Sequence, residues 1–213
     1  MPSADRMAIN NRRTMMLSSL RYRTALLGCA ALLLAVGSVG AQAASSKGKS
    51  KAASFKVTAP DLTAKGRITA QHVFNGMGCT GQNVSPALNW TGAPAGTKSF
   101  AVTAYDPDAP TGSGWWHWVM YNIPADATGL AAGAGNGRNA PRGSQQGNTD
   151  FGSKGYGGPC PPVGDKPHHY HFRVYALKVD KLDVPGNATS AMIGFYINAN
   201  KLATATVTGL YAR

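Results

Sequence analysis

Two short stretches hold most of the residues in this chain that could do chemistry. Residues 105–118 read YDPDAPTGSGWWHW, and residues 158–170 read GPCPPVGDKPHHY. Each ends in a histidine, His117 or His168, beside a strand-like run, and prolines of fixed φ stiffen each approach. Brought together, Asp106, Asp108, His117 and His168 would surround one small concave site. A carboxylate that accepts an N–H from one imidazole nitrogen fixes the tautomer and turns the other nitrogen toward a ligand. Imidazoles and backbone amides on a rigid frame suit an anion. Two nearby carboxylates repel an anion at long range, so the gain must come from directed N–H donors, including backbone amides around 161–164. Taken singly, His117 reads as a satisfied core histidine and the aspartates as turn residues. The same design appearing twice is what points to a site.

Other chemistries find less support. The run HHYH at 168–171 suggests a metal cluster, but neighbouring strand residues point to opposite faces. At most His169 and His171 could chelate together, and no strong zinc spacing accompanies them. No metal and no cofactor are expected. A hydrolase built on His117, His168 and Asp106 lacks a Gly-x-Ser-x-Gly elbow and a serine clearly placed by a base. Cys160 is a candidate nucleophile only if it is not bridged.

The chain has 213 residues and a formal charge of +12, and all nine of its acidic residues are aspartate. A basic surface favours anionic partners. Its cations form no dense stripe beyond Lys47, Lys49 and Lys51, so nucleic acid is not expected. Arg12, Arg13, Arg21 and Arg23 precede an apolar run over about 25–39, and Ala41 and Ala43 frame a small-x-small cleavage pattern. This order reads as a secretory signal peptide over 1–43, with Sec and twin-arginine export both open. Cleavage near Ala43 would leave an exported, periplasmic or secreted protein with a polar tail over 44–53 and a single domain over 54–213. Cys79 and Cys160 would be the only cysteines left, and in an oxidising compartment they are expected to pair.

Several strands must position the candidate residues. Residues 55–58 alternate like a first strand, and 87–90 form a short second run. Residues 99–105 read as a buried strand in which Phe100, Val102 and Ala104 share a face with Asp106. Residues 116–123 and 170–179 are two more strands. Strict alternation puts His117 with Trp115, Val119 and Tyr121, and His168 with Tyr170 and Phe172. Residues 131–158 hold nine glycines, and so long an irregular stretch reads as functional or mobile. Met192, Phe195, Tyr196, Ala199 and Leu202 recur at helical spacing behind Thr189 or Ser190 as N-cap, and their stripe is expected in the core. Residues 207–211 close as a last strand. The fold is therefore mostly β with one clear helix near the C-terminus.

With these residues in view, the chain resembles the phosphatidylethanolamine-binding protein family, also called Raf-kinase-inhibitor-like proteins, in its bacterial branch. The matching pieces are GQNVSPALNW (81–90), DPDAP (106–110), WHW (116–118), YNIP (121–124), GYGGPCPP (155–162) and HHY (168–170). The resemblance implies a large central β-sheet, a smaller sheet and peripheral helices. It also implies a shallow pocket for phosphate or phosphorylated headgroups, formed here by Asp106, Asp108, His117, Pro161, Pro162, His168 and Tyr170. The expected function is non-catalytic binding of small anionic or phosphorylated ligands, with regulation of an unidentified protein partner as an extension. Membrane contact would come at most through lipid headgroups. Inhibition of a protease or kinase through surface loops is the alternative.

Overall fold

The computed structural model describes residues 54–213; the signal peptide expected over 1–43 and the tail over 44–53 lie outside the described residues. In chain order the elements are β1 (Lys56–Thr58), β2 (Asn75–Gly76), β3 (Cys79–Thr80), β4 (Leu88–Thr91), β5 (Ser99–Asp106), β6 (Trp115–Pro124) and β7 (Gly129–Leu130). A 3-10 turn at Ala134–Asn136, then β8 (Gln145–Gln146), β9 (His168–Leu177), α1 (Ser190–Asn200) and β10 (Lys201–Tyr211) complete the chain.

The large sheet runs β10-β9-β5-β6-β8, with every neighbouring pair antiparallel. Central β5 is buried on both faces, with Phe100, Val102 and Ala104 on one and Ser99, Ala101 and Thr103 on the other. On one side Phe100, Val102 and Ala104 join Trp118 and Met120 of β6 and Phe172 and Val174 of β9. This layer packs on Leu88, Trp90 and Leu130 of a smaller sheet ordered β1-β4-β7. On the other side Ala101, Val119, Tyr121 and Tyr175 pack under α1. The expected mostly-β architecture of a large and a smaller sheet with one helix is what the described residues form, with β2 and β3 paired as a separate two-stranded ribbon.

Three expectations need correction. Thr189 does cap α1, accepting the Met192 N–H at 3.2 Å, but the apolar stripe is not the buried face. The helix buries Ser190, Ile193 and Ile197, while Met192 and Phe195 are 46% and 70% exposed. Leu202, expected as the last residue of the stripe, is in β10, which begins directly after the helix. The third inner strand starts at His168 and ends at Leu177, two residues earlier at each end than the 170–179 expected, because it pairs along its whole length with β10.

The glycine-rich stretch 131–158 is packed against the sheet. A Cβ at Gly135 would lie 2.8 Å from the Trp118 ring and 2.7 Å from Tyr156 Cβ, so only glycine fits there. The Trp118 indole N–H donates to Gln146 Oε1 at 2.9 Å, and the Gln146 amide donates to Ala134 O at 3.0 Å. Gly135, Gly147, Gly155, Gly157 and Gly158 allow close approach, while Gly137, Gly143 and Gly152 face open space, and composition alone does not separate the two kinds.

Candidate functional site

Register brings the candidate residues to one end of the large sheet. Asp106 ends β5 opposite Trp115, the first residue of β6. His168 opens β9 opposite Tyr211, the last residue of β10. His117 arrives by a different device. Ala104 pairs with Trp118 and Tyr105 with Trp116, which leaves His117 as an extra residue on β6. Such a bulge re-aims side chains. Trp118 therefore joins Met120 in the core between the sheets, whereas Trp116 packs with Val119 and Tyr121 toward α1. Strict alternation puts His117 on one face with Val119 and Tyr121, and the bulge overturns that grouping.

Both imidazoles are 4% exposed, yet their surroundings differ. Asp106, itself 2% exposed, accepts the His168 Nδ1–H at 2.8 Å through Oδ2 and the Asp108 backbone N–H at 2.8 Å through Oδ1. The other nitrogen of His168, Nε2, lies 3.3 Å from Asp165 Oδ2. Burial alone would lower the His168 pKa, but the Asp106 hydrogen bond and charge, aided by Asp165 and Asp108, outweigh it and raise the pKa. His117 has no carboxylate partner. Its Nδ1–H donates to Gly157 O at 2.8 Å, and the Gly157 N–H returns a bond to His117 O at 2.8 Å. Phe151 and Tyr170 meet its ring edge-on, with centroids 5.3 and 5.1 Å away. Burial takes its pKa down to about 4, so this ring is neutral at pH 7.

Both rings line one cavity of about 310 Å³, together with Asp106, Pro161, Pro162 and Tyr170. Six of the seven expected ligand residues therefore converge. Asp108 is the exception and is absent from the lining. Its carboxylate accepts the His169 backbone N–H at 2.7 Å and the His169 Nδ1–H at 2.8 Å. Burial is the largest single effect and would raise its pKa, but the two His169 bonds and the charges of His169 and His168 together outweigh it and lower the pKa. Asp108 thus ties the β5–β6 loop to the start of β9. His169 and His171 lie on the other face of β9, and the His171 ring bonds Thr208. Among the described residues no three His, Cys or Asp side chains are grouped to hold a metal ion.

Sequence reasoning missed part of the lining. Arg213 borders the cavity, with its Nε–H donating to Pro161 O at 2.6 Å and its Nη1 lying 3.4 Å from Cys79 Sγ. No motif marked it; only the β9–β10 register carries it there. Trp115, Phe151 and Met77 add apolar surface. Trp115 had a signal, since it precedes His117 by two, whereas Phe151 was hidden in the glycine-rich stretch. The Trp115 indole N–H and the Tyr170 hydroxyl are buried without a hydrogen-bond partner, and burial raises the Tyr170 pKa. Buried polar atoms without partners are uncommon, and at the edge of a cavity they suit a polar ligand atom or water. The expected bridge is present: Cys79 and Cys160 are joined, with Cα atoms 6.0 Å apart. It ties β3 to the segment carrying Pro161 and Pro162.

A β-sandwich with a paired-histidine cavity at the end of its main sheet defines the class, and the chain belongs to the phosphatidylethanolamine-binding protein family. The sequence model of that family matches residues 58–212. UPF0098 protein YbcL of Escherichia coli (strain K12) is 55% identical over 163 residues, covering 76% of this chain and 89% of YbcL. The crystal structure of E. coli YbcL, described as a new member of the mammalian family, aligns with a TM-score of 0.72 over 75% of this chain and 98% of that one. UPF0098 protein YbhB of the same organism is 50% identical over 159 residues, 74% of this chain and all of YbhB at 100%. A Chlamydia trachomatis homolog of the family, 29% identical, aligns with a TM-score of 0.62 over 75% of this chain and 97% of that one. The family is named for binding a ligand, not for a catalysed reaction.

Proposed function

We propose that the protein binds small anionic or phosphorylated ligands in the cavity between His117 and His168, without turning them over. The observation that carries this reading is the buried Asp106–His168 pair on the cavity lining, because it fixes the ring's tautomer and favours its protonated form. Arg213 adds a cation, and Tyr170 and Trp115 add unpartnered donors. The apolar Pro, Trp and Phe lining suits the uncharged part of such a ligand. Binding is favoured over hydrolysis because Cys160 is committed to the bridge and the Thr111 hydroxyl donates to Gly114 O. Export to an oxidising compartment belongs to the same reading, and the bridge supports it.

Titration calorimetry with phosphate and phosphoethanolamine tests the proposal. Wild type is expected to bind both, and His168→Ala to lose at least about tenfold in affinity, as for a charge-assisted hydrogen bond. Equal heats in the two proteins would contradict it, as would steady release of phosphate from a monoester.

A further inference from the structure

If an anion is to be held by His168, one N–H of the ring must be available to it. Nδ1 is committed to buried Asp106 at 2.8 Å. Nε2 faces Asp165 at 3.3 Å. Asp165 differs from Asp106 in how firmly it is held. Its side chain is 40% exposed against 3% for Asp106, and among the described residues its carboxylate makes no other hydrogen bond. It sits on the turn after Pro162, where its backbone N–H bonds Pro162 O at 3.4 Å and the Gly164 N–H bonds Arg213 O at 3.2 Å. The backbone is anchored while the carboxylate rests on His168 alone.

We propose that Asp165 is an internal competitor for the ligand: its carboxylate occupies the His168 Nε2–H, and a phosphoryl dianion binds by displacing it into solvent. This rests on the anion-binding reading of the cavity, which His168 lines and Asp165, like Asp108, does not, so Asp165 reaches the ligand only through His168. A tethered carboxylate acts at a high effective concentration, so a free carboxylate exchanges like for like and falls below useful affinity. A phosphate monoester or inorganic phosphate brings a second negative charge and more acceptor oxygens, which His168 and Arg213 can share. A phosphodiester headgroup brings one charge and ranks between them. Asp165 therefore sets the threshold that a ligand must exceed.

The test is calorimetry at pH 7.5 and low salt on wild type, Asp165→Asn and Asp165→Ala, using phosphate, phosphoethanolamine, glycerophosphoethanolamine and acetate. Removing a half-exposed competitor is expected to tighten every ligand by a common factor of about five. The two monoester-type ligands should bind more tightly than the diester, and acetate should be weakest. A second readout needs no ligand: the His168 ring titration followed by NMR should move to lower pH in Asp165→Ala. Unchanged or weaker binding in the variants overturns the competitor while leaving the anion site standing. A diester bound more tightly than phosphate overturns the ranking by charge. No binding of phosphate to any of the three proteins overturns the inference together with the reading beneath it.

Discussion

His117 and His168 line the same cavity and expose equally little surface, yet the fold drives their proton affinities in opposite directions. His168 faces two carboxylates and keeps its proton above the usual imidazole range. His117 faces a carbonyl and two aromatic rings and gives up its proton down to about pH 4. The difference lies in what each strand end delivers. The end of β5 supplies Asp106 to β9, whereas the close approach of Gly157 supplies only backbone to β6. Burial lowers the charge of a histidine unless a buried opposite charge answers it. One ring is thus held in a fixed tautomer with its protonated form favoured, and the other is a neutral wall with a nitrogen to share.

The largest way to disturb both sides at once is to remove the bridge. Cys79 and Cys160 are 81 residues apart in sequence, and replacing both by serine should cost about 4 kcal/mol by chain entropy. Denaturant unfolding measures the loss, and phosphate affinity should fall with it because Pro161 is no longer held to β3.

Asp106→Ala should then erase the contrast between the rings. It leaves a buried imidazole without its counter-charge, and about 3 kcal/mol of stability should be lost. An NMR titration of the variant should find His168 shifted down toward the behaviour of His117.

The His117 side carries its own pH signature. A buried neutral histidine favours the fold above pH 6.5, and that contribution is lost as pH falls through about 4. Its full size is about 3 kcal/mol. Unfolding measured between pH 7 and pH 4 should show the decline in wild type, and His117→Phe should be flatter over that window.

The raised His168 pKa acts in the opposite direction. Its pairing energy is complete below pH 6.5 and is lost as pH rises through the raised value. Sulfate affinity, free of ligand titration in this range, should fall on the alkaline side. The smallest effect belongs to Arg213→Gln, about threefold weaker phosphate binding with a shallower salt dependence, as for an exposed charge.

The β5 strand is legible in the sequence because Phe100, Val102 and Ala104 alternate on one face with Asp106, and the Asp106–His168 neighbourhood because two proline-stiffened segments each lead into a histidine. The bulge at His117 was not, since alternation assumes an unbroken ladder and only the partner strand reveals an extra residue. The face of α1 was misread for a related reason: Ile193 and Ile197 were passed over in favour of a stripe that included Leu202, a β10 residue. Asp108 was grouped with Asp106 by spacing, but its bond to the His169 N–H is a tertiary fact. Arg213 had no local signal at all.

One cavity holds two imidazoles whose proton affinities are driven apart, His168 upward and His117 downward. Ring-carbon NMR of selectively labelled histidine, titrated from pH 4 to 9 with and without phosphate, tests it directly. His168 should titrate above 6.5, His117 should stay neutral until about pH 4, and phosphate should perturb both rings. Two rings titrating together near 6.5, or a His168 signal indifferent to phosphate, would contradict it.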